Sequence, residues 1–274
     1  MTAESQLESE AHEGRIAGYA AFAAALLVVG SFIYAGAALA GEADNDVELL
    51  TKIHDQSSER IMLAVLQGTA SLLLIPVLRH LFRATKARRP ELPSVALVLA
   101  IAGPVIYAIT SVVTQVVLLD AASEFIDSGP RTEARADDLR TGGAVQTVGL
   151  VGLAPSLALG FAFVMINLHA MRAGLVSRFM GIIGIIAGVL YVIPFLGGPQ
   201  IIQLFWLAAV GALFLDKWPG GRGPAWKTGE AIPWPSAAEQ RAEIERRRAE
   251  REGATPSDAD DAGVEADDGP ARRS

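Results

Sequence analysis

Apolar stretches alternate with polar loops along this chain, and six of the stretches approach the length of a membrane span. They begin near Ile16, Ile61, Ser94, Ala144, Met180 and Gln200. An α-helix needs about 20 apolar residues to cross a hydrocarbon core about 30 Å thick, and the first four stretches reach that length. The last two are shorter and are separated by Gly197, Gly198 and Pro199, a break that suits a tight helical hairpin. The pattern predicts an all-α membrane bundle of six transmembrane helices.

The bundle is expected to occupy residues 16–215, between a cytoplasmic N-terminal segment, 1–15, and a cytoplasmic tail, 216–274. The tail opens with Trp218, Trp226 and Trp234 among Pro, Gly and basic residues. It is therefore expected to lie at the membrane interface, which favours tryptophan, or to fold back over the inner face of the bundle. A charged helix is expected near residues 236–252, and the acidic end beyond it is expected to be disordered.

The distribution of basic residues predicts the orientation of the bundle. Lysine and arginine are concentrated in the 84–93 and 172–179 connections and at the beginning of the tail, which favours a cytoplasmic position for all three. The 41–60 loop carries more acids than bases and is expected outside, whereas the 120–143 loop is mixed. Because six spans return the chain to the side where it began, both termini are expected in the cytoplasm.

Composition supports the membrane interpretation. Hydrophobic residues make up 51% of the chain and charged residues 19%, and nearly all of the charge falls in loops and tails. A soluble chain would distribute its charges along every amphipathic element. The net charge of −7 comes without a broad basic surface, so no nucleic-acid partner is expected. The absence of cysteine excludes disulfides and thiolate metal sites.

The first apolar stretch invites comparison with a signal peptide, because Ala38-Leu39-Ala40 resembles a cleavage site. The stretch is longer than the usual apolar core of a signal peptide, and the residues before it are acidic where a secretory leader is basic. An uncleaved first helix is therefore favoured. The alternative is a mature protein of five helices.

Groups that normally carry chemistry inside a membrane are missing from this sequence. No Asp, Glu, Lys or Arg lies at the centre of any apolar stretch, whereas proton relays and ion-coupled carriers usually require such groups. His-Glu-x-x-His and Gly-x-Ser-x-Gly motifs are also absent. His80 and His169 lie at matching depths, but each is within three residues of an arginine at the headgroup level, which favours solvated imidazoles over a haem or metal site. No catalytic, metal-binding or cofactor-binding residue is predicted, and no cofactor is expected.

Uncharged polar residues gather toward the external half of the predicted bundle. If they face inward they would line a ligand cavity, whose candidate residues are Gln67, Thr114, Gln115, Gln146, Thr147 and Gln203. The alternative is hydrogen bonding between neighbouring helices, which has no ligand-binding role.

A short Gly–Tyr pattern recurs on the three helices that are expected to run outward. Gly30-Ser-Phe-Ile-Tyr34 in the first helix matches Gly103-Pro-Val-Ile-Tyr107 in the third, and Gly188-Val-Leu-Tyr191 in the fifth is one residue shorter. The chain is therefore readable as three tandem helical hairpins. Chance is the alternative, because membrane helices use few residue types.

Small residues predict where the helices pack closely. Gly152, Ser156 and Gly160 form a smooth stripe on the fourth helix, and Gly184 and Gly188 do so on the fifth. Prolines at positions 76, 104, 155 and 194 are expected to kink helices two to five. Together with the aromatic tail and the lack of intramembrane charge, these stripes favour a non-enzymatic membrane component that binds another protein within the bilayer or through the tail. The alternative function is a carrier or receptor for a small neutral or lipid-like molecule. The sequence does not indicate the oligomeric state.

Two segments carry a family resemblance. Residues 171–188 resemble uncharacterised bacterial polytopic membrane proteins classed as a domain of unknown function, and so does the stretch from Gln203-Leu-Phe-Trp206 through Trp218-Pro-Gly-Gly-Arg-Gly-Pro-Ala-Trp226 to Lys227-Thr-Gly-Glu-Ala-Ile-Pro-Trp-Pro235. The resemblance implies a multi-helix protein of the bacterial inner membrane. It carries no activity and therefore no functional residues.

Overall fold

The computed structural model describes residues 3–39, 41, 43–192, 199–219, 221–235 and 237–253. These residues form helices and connecting turns, without a strand. The chain separates into two compact units, Met1–Trp234 and Pro235–Ser274, which are treated separately. Pro194 and the acidic end beyond residue 253 lie outside the described residues.

Eleven helices belong to the described part of the first unit. They are α1 Ala3–Ala38, α2 Asp46–Asp55, α3 Ser57–Leu72, α4 Leu74–Arg88, α5 Val95–Asp127, α6 Glu133–Thr141, α7 Gly143–Val151, α8 Leu153–Arg172, α9 Arg178–Val192, α10 Pro199–Phe214 and α11 Ala225–Thr228. Four continuous or nearly continuous segments are long and apolar enough to cross a membrane: Leu7–Ala38, Ser57–Arg88, Val95–Asp127 and Glu133–Arg172. The all-α membrane fold predicted from the sequence is confirmed at this level, while α9 and α10 are shorter apolar helices.

Two of the prolines lie just after breaks in the long segments. α3 and α4 meet at Leu73, and α7 and α8 meet at Gly152. Pro76 and Pro155 therefore fall in the first turn of α4 and α8, where a missing backbone N–H costs little because the first four N–H groups have no intrahelical partner. Pro104, in contrast, lies inside the uninterrupted helix α5.

The long helices close into a ring. α1 packs against α3, α4 and α10; α3 packs against α5; α5 packs against α8; and α9 connects α8 to α10. The predicted stripes of small residues are used within this ring: a Cβ atom added to Gly160 would lie 2.6 Å from the carbonyl oxygen of Gly188 on α9. The close approach of α8 and α9 therefore requires glycine at both positions.

Buried polar groups also join α8 to α10. The indole Nε1 of Trp206, which is fully buried, donates a hydrogen bond of 3.0 Å to Oδ1 of Asn167. The amide nitrogen of Asn167 donates in turn to the carbonyl oxygen of Phe163, four residues earlier in α8. Each polar atom of this pair is satisfied by the other helix or by its own, as a buried polar pair in an apolar core requires.

A small second core caps one end of the ring, where α2, α6 and the end of α5 meet. Its buried residues are Leu50, Ile53, Ala122, Phe125 and Ala136. Arg140 of α6 binds Asp46 at the start of α2, with 2.8 Å between Nε and Oδ1. At the surface of this cap end, a hydrogen bond from Lys52 holds the pKa of the Glu48 carboxyl below its usual value, helped by the backbone N–H of Asp44.

The second unit contains one described helix, α12, over Ala237–Gly253. Its described side chains are exposed, including Ile244, and Arg246 pairs with Glu250 one turn later at 3.9 Å. A helix without a buried apolar face is stabilised mainly by such pairs and by helix propensity.

Candidate functional site

A partly enclosed cavity of about 350 Å³ lies between the ring helices. α1, α3, α4, α5, α8, α9 and α10 all contribute to its described walls. The polar side chains that line it are Ser31, Gln67, Ser71, Tyr107, Ser156, Tyr191 and Gln203. Its described lining contains no Asp, Glu, Lys, Arg or His. The cavity therefore offers hydrogen bonds without a formal charge, in a wall that is otherwise apolar.

Several of these polar groups already have partners in the protein. The amide nitrogen of Gln203 donates a short hydrogen bond to the hydroxyl of Tyr191. Ser71 donates across the helix contact to the carbonyl oxygen of Pro104 at 3.3 Å, and Ser31 donates within its own helix at 2.7 Å. A serine whose hydrogen is directed at a backbone carbonyl still has free lone pairs, so these oxygens remain acceptors.

Gln67 and Tyr107 differ from the other polar groups, because their side chains have no hydrogen-bond partner among the described residues. Both are half-buried and both border the cavity. A glutamine amide provides two donors and an acceptor, and a phenol provides one donor and an acceptor. Unpartnered polar groups in a recess within an apolar bundle are unusual, since each carries a desolvation cost unless water or a ligand binds there.

The structure brings together two of the six residues predicted to line a cavity, Gln67 and Gln203. The other four do not line it. Gln146 and Thr147 are exposed on α7, while Thr114 and Gln115 are half-buried on α5, about 10 Å or more beyond Tyr107 at 1.5 Å per residue. The side-chain oxygen of Gln115 is buried without a hydrogen-bond partner.

Sequence reasoning did not assign the cavity tyrosines, although a signal was present. Tyr107 and Tyr191 close the second and third copies of the Gly–Tyr pattern, and both line the cavity. Tyr34, which closes the first copy, is not among the lining residues. The pattern placed these tyrosines at equivalent positions along helices α1, α5 and α9, but the direction in which each side chain points depends on the rotation of its helix.

A second polar site, which we call the terminal clamp, centres on Arg88. It lies at the end of the bundle opposite the small second core of α2, α5 and α6. The side chain of Arg88 is fully buried. Its two terminal nitrogens bind the two carboxylate oxygens of Glu10 at 2.8 and 2.9 Å. The guanidinium also donates twice to the carbonyl oxygen of Ala225 and once to that of Ala84. All five N–H groups are thereby used, and one arginine connects α1, α4 and α11.

Trp226, next to Ala225, seals this end of the bundle. Its indole N–H donates to the carbonyl oxygen of Leu175 at 2.7 Å, and its ring stacks on His80 with 5.5 Å between centroids. The guanidinium groups of Arg88 and Arg222 lie 5.6 and 5.7 Å from the centre of the same ring. The first part of the tail thus folds back onto the bundle.

The expectation that His80 is a solvated imidazole is wrong. His80 is 3% exposed, because Trp226 covers one face of its ring and Phe214 packs edge-on against it, with 4.7 Å between the ring centroids. His169 remains half-buried, and its Nδ1 atom is buried without a hydrogen-bond partner. Among the described residues, no group of three or more His, Cys, Asp or Glu could hold a metal ion.

These features define an all-helical integral membrane protein with an uncharged cavity in its bundle. The chain belongs to the family described as "Domain of unknown function (DUF4386)", whose match covers residues 16–217. This confirms the resemblance to an uncharacterised family, although the match ends before the Trp-rich tail that contributed to it. No curated protein and no solved structure matches the chain.

Proposed function

We propose that this protein is a six-span membrane protein that binds a small uncharged molecule in the cavity bordered by Gln67, Tyr107 and Gln203. The observation that carries the proposal is the pair of unpartnered polar side chains, Gln67 and Tyr107, in an uncharged cavity. The cavity volume of about 350 Å³ falls in the range of small-molecule sites, roughly 300–1,000 Å³. Such sites typically combine apolar walls with a few polar groups that orient the ligand.

Six spans are proposed because α9 and α10 complete the ring around the cavity. At 1.5 Å per residue, each is about 22–24 Å long, somewhat shorter than a bilayer core of about 30 Å. Short spans are accommodated by local thinning of the bilayer. The cytoplasmic side is proposed to be the clamp end, because Lys86, Arg172 and Lys217 belong to the connections and tail found there.

The proposal is tested by asking whether a molecule co-purifies with the protein and depends on the cavity. Wild type, the double variant Gln67→Leu/Tyr107→Phe and the control Gln146→Leu are purified in nanodiscs of one defined lipid and analysed by native mass spectrometry. We expect a bound molecule other than the nanodisc lipid in the wild type and the control. The same molecule should be lost from the double variant. Equal adducts in all three proteins, or no adduct together with a cavity filled by side chains in an experimental structure, would refute the proposal.

A protein-binding role, the other function expected from the sequence, ranks second. The glycine stripes that motivated it pack inside the chain, as Gly160 and Gly188 do, and Trp226 of the aromatic tail is buried. The remaining support is the exposed charged helix α12. Chemical cross-linking in native membranes, followed by identification of a partner joined to α12, would favour this second function.

A further inference from the structure

We propose that the molecule bound in the cavity is an uncharged amphiphile that enters sideways from the bilayer and carries a hydroxyl or carbonyl group at one end of an apolar chain. The inference rests on the proposed function and names the ligand class for the same cavity. It follows from the position of polar and apolar lining residues, the exposure of α1 and the size of the cavity.

The unpartnered polar groups of the cavity and its largely apolar α1 wall belong to different helices. Gln67 and Tyr107, the groups without partners, belong to α3 and α5. The wall formed by α1 consists of Val28, Phe32 and Ala35 apart from one serine whose hydroxyl is bonded within its own helix. A ligand in this cavity is therefore offered free hydrogen-bonding groups from α3 and α5 and a largely apolar surface from α1.

The α1 wall is also the edge of the protein. Phe32 lines the cavity and is 46% exposed, so one side chain contacts both the cavity and the surroundings. Ile33 beside it is 69% exposed, and a Cβ atom added to Gly30 or Gly36 would meet nothing within 4 Å. The first half of the transmembrane part of α1 also exposes large side chains, such as Leu26, and buries alanines against the bundle. In a membrane-spanning helix the exposed face of α1 contacts acyl chains, so Phe32 stands between the cavity and the lipid.

The exposed edge of α1 borders the same cavity as the end of α9. α10 packs against both α1 and α9, and the cavity is lined by Phe32 of α1 and by Leu190 and Tyr191 of α9. Because Phe32 lies both in the cavity wall and on the outer surface, displacement of this one side chain would let an apolar chain remain in the lipid while its polar end occupies the cavity.

Cavity size and chemistry narrow the ligand further. A volume of about 350 Å³ equals about twelve water volumes at ~30 Å³ each, which holds a head group or a single ring and excludes a complete two-chain lipid. A charged head group would be buried without a counter-ion, which is costly at membrane depth. Gln67 offers both donors and an acceptor, and Tyr107 offers one of each, so a hydroxyl or a carbonyl can be bound.

The experiment uses the full chain in nanodiscs and a hexadecanol probe with a diazirine in its alkyl chain. After irradiation, labelled residues are mapped by mass spectrometry, with competition by unlabelled hexadecanol, hexadecyl phosphate or glycerol. We expect labelling near Phe32 and Leu190 that hexadecanol suppresses and that the other two compounds do not. In Tyr107→Phe and Gln67→Leu the concentration of hexadecanol needed for competition should rise about fivefold for each lost hydrogen bond, while Gln146→Leu should match the wild type.

The outcomes separate this inference from the proposed function. Glycerol competing in a Gln67-dependent manner while hexadecanol does not would overturn the amphiphile and retain a small-molecule site. Equal competition by hexadecyl phosphate would overturn the uncharged head group. Labelling that is the same in wild type and both cavity variants, with an unchanged thermal unfolding temperature, would show surface partitioning and overturn the inference. Failure of every probe together with an empty cavity in the co-purification experiment would remove the proposed function as well.

Discussion

Replacing Glu10 with glutamine tests whether the terminal clamp holds the tail on the bundle. The substitution keeps the shape of the side chain but removes the charge opposite Arg88 and replaces one acceptor oxygen with an NH₂ group. Arg88 is fully buried and the Glu10 side chain is 12% exposed, so water cannot compensate for the loss. Removing one partner of a buried ion pair costs about 3–5 kcal/mol. We take the lower value of about 3 kcal/mol because glutamine retains one acceptor.

Hydrogen–deuterium exchange measures this loss where the tail is held. The amides of residues 226–229 bond to carbonyl oxygens of residues 223–225, so they exchange when this segment opens. A cost of about 3 kcal/mol corresponds to roughly 150-fold faster exchange at about 1.4 kcal/mol per factor of ten. We expect an increase of that size in Glu10→Gln, without a comparable change in α5.

A matched control lies one turn away on the same two helices. Glu13 pairs with Arg83, but their side chains are 32% and 51% exposed. Exposed pairs are worth about 1 kcal/mol or less, so Glu13→Gln should change exchange by at most about fivefold. If Glu10→Gln and Glu13→Gln increased exchange at residues 226–229 by the same factor, the buried Glu10–Arg88 pair would contribute no more than the exposed Glu13–Arg83 pair. That result would refute the conclusion that the buried pair holds the tail.

Three further changes should give distinct results. Gly174→Ala should destabilise the docked tail by about 2 kcal/mol or more, because Gly174 has a φ of +74° and a Cβ atom there would overlap the carbonyl oxygen of Ile232 in the tail. The measurement is the rate of proteolysis within residues 218–234, which should rise. Asn167→Leu should lower the unfolding temperature, at a cost of about 2 kcal/mol, by leaving the N–H of Trp206 unpaired. The pKa of Glu48 is lower in the folded protein than in the unfolded chain, so the carboxylate stabilises the fold until it is protonated. Protection of the α2 amides from hydrogen exchange should therefore fall as the pH drops through the folded-state pKa. Glu48→Gln should abolish this pH dependence, measured by hydrogen exchange corrected for the intrinsic exchange rates.

The helical segments were predictable because membrane helices are encoded by local composition. A run of about 20 apolar residues has one low-energy arrangement in a bilayer, so the long segments follow directly from the sequence. The interruptions follow from the prolines. Pro76 has no N–H to bond the carbonyl of Leu72 and its ring crowds that carbonyl, and α3 ends at Leu72; Pro155 stands in the same relation to Val151, the last residue of α7. The extension of α1 back to Ala3 was missed, because its stability comes from contacts such as Glu10 with Arg88.

The cavity was partly predictable, and the reason is geometric. Depth in the membrane follows from position along the sequence, which placed Gln67 and Gln203 at similar levels. The direction in which a side chain points depends on the rotation of its helix about the helix axis. Neighbouring residues on a helix point about 100° apart, so depth alone does not show which of them faces the cavity. Gln146 and Gln115 had suitable depth and composition but do not line the cavity. The clamp was not predictable at all, since Arg88 and Ala225 are 137 residues apart and no local pattern connects them.

The clamp and the cavity are separable parts of the molecule. Along α1, Glu10 and Ser31 are 21 residues apart, or about 31 Å at 1.5 Å per residue. Every described lining residue of the cavity falls within the family match at 16–217, whereas Glu10 and Trp226 fall outside it. If the clamp only secures the tail, Glu10→Gln should loosen residues 226–229 while hexadecanol competition stays within about twofold of the wild type. If Glu10→Gln also weakened hexadecanol competition, the docked tail would be setting the packing around Gln67 and Tyr107. Sites this far apart are coupled only when both shift the equilibrium of one structural element between two conformations.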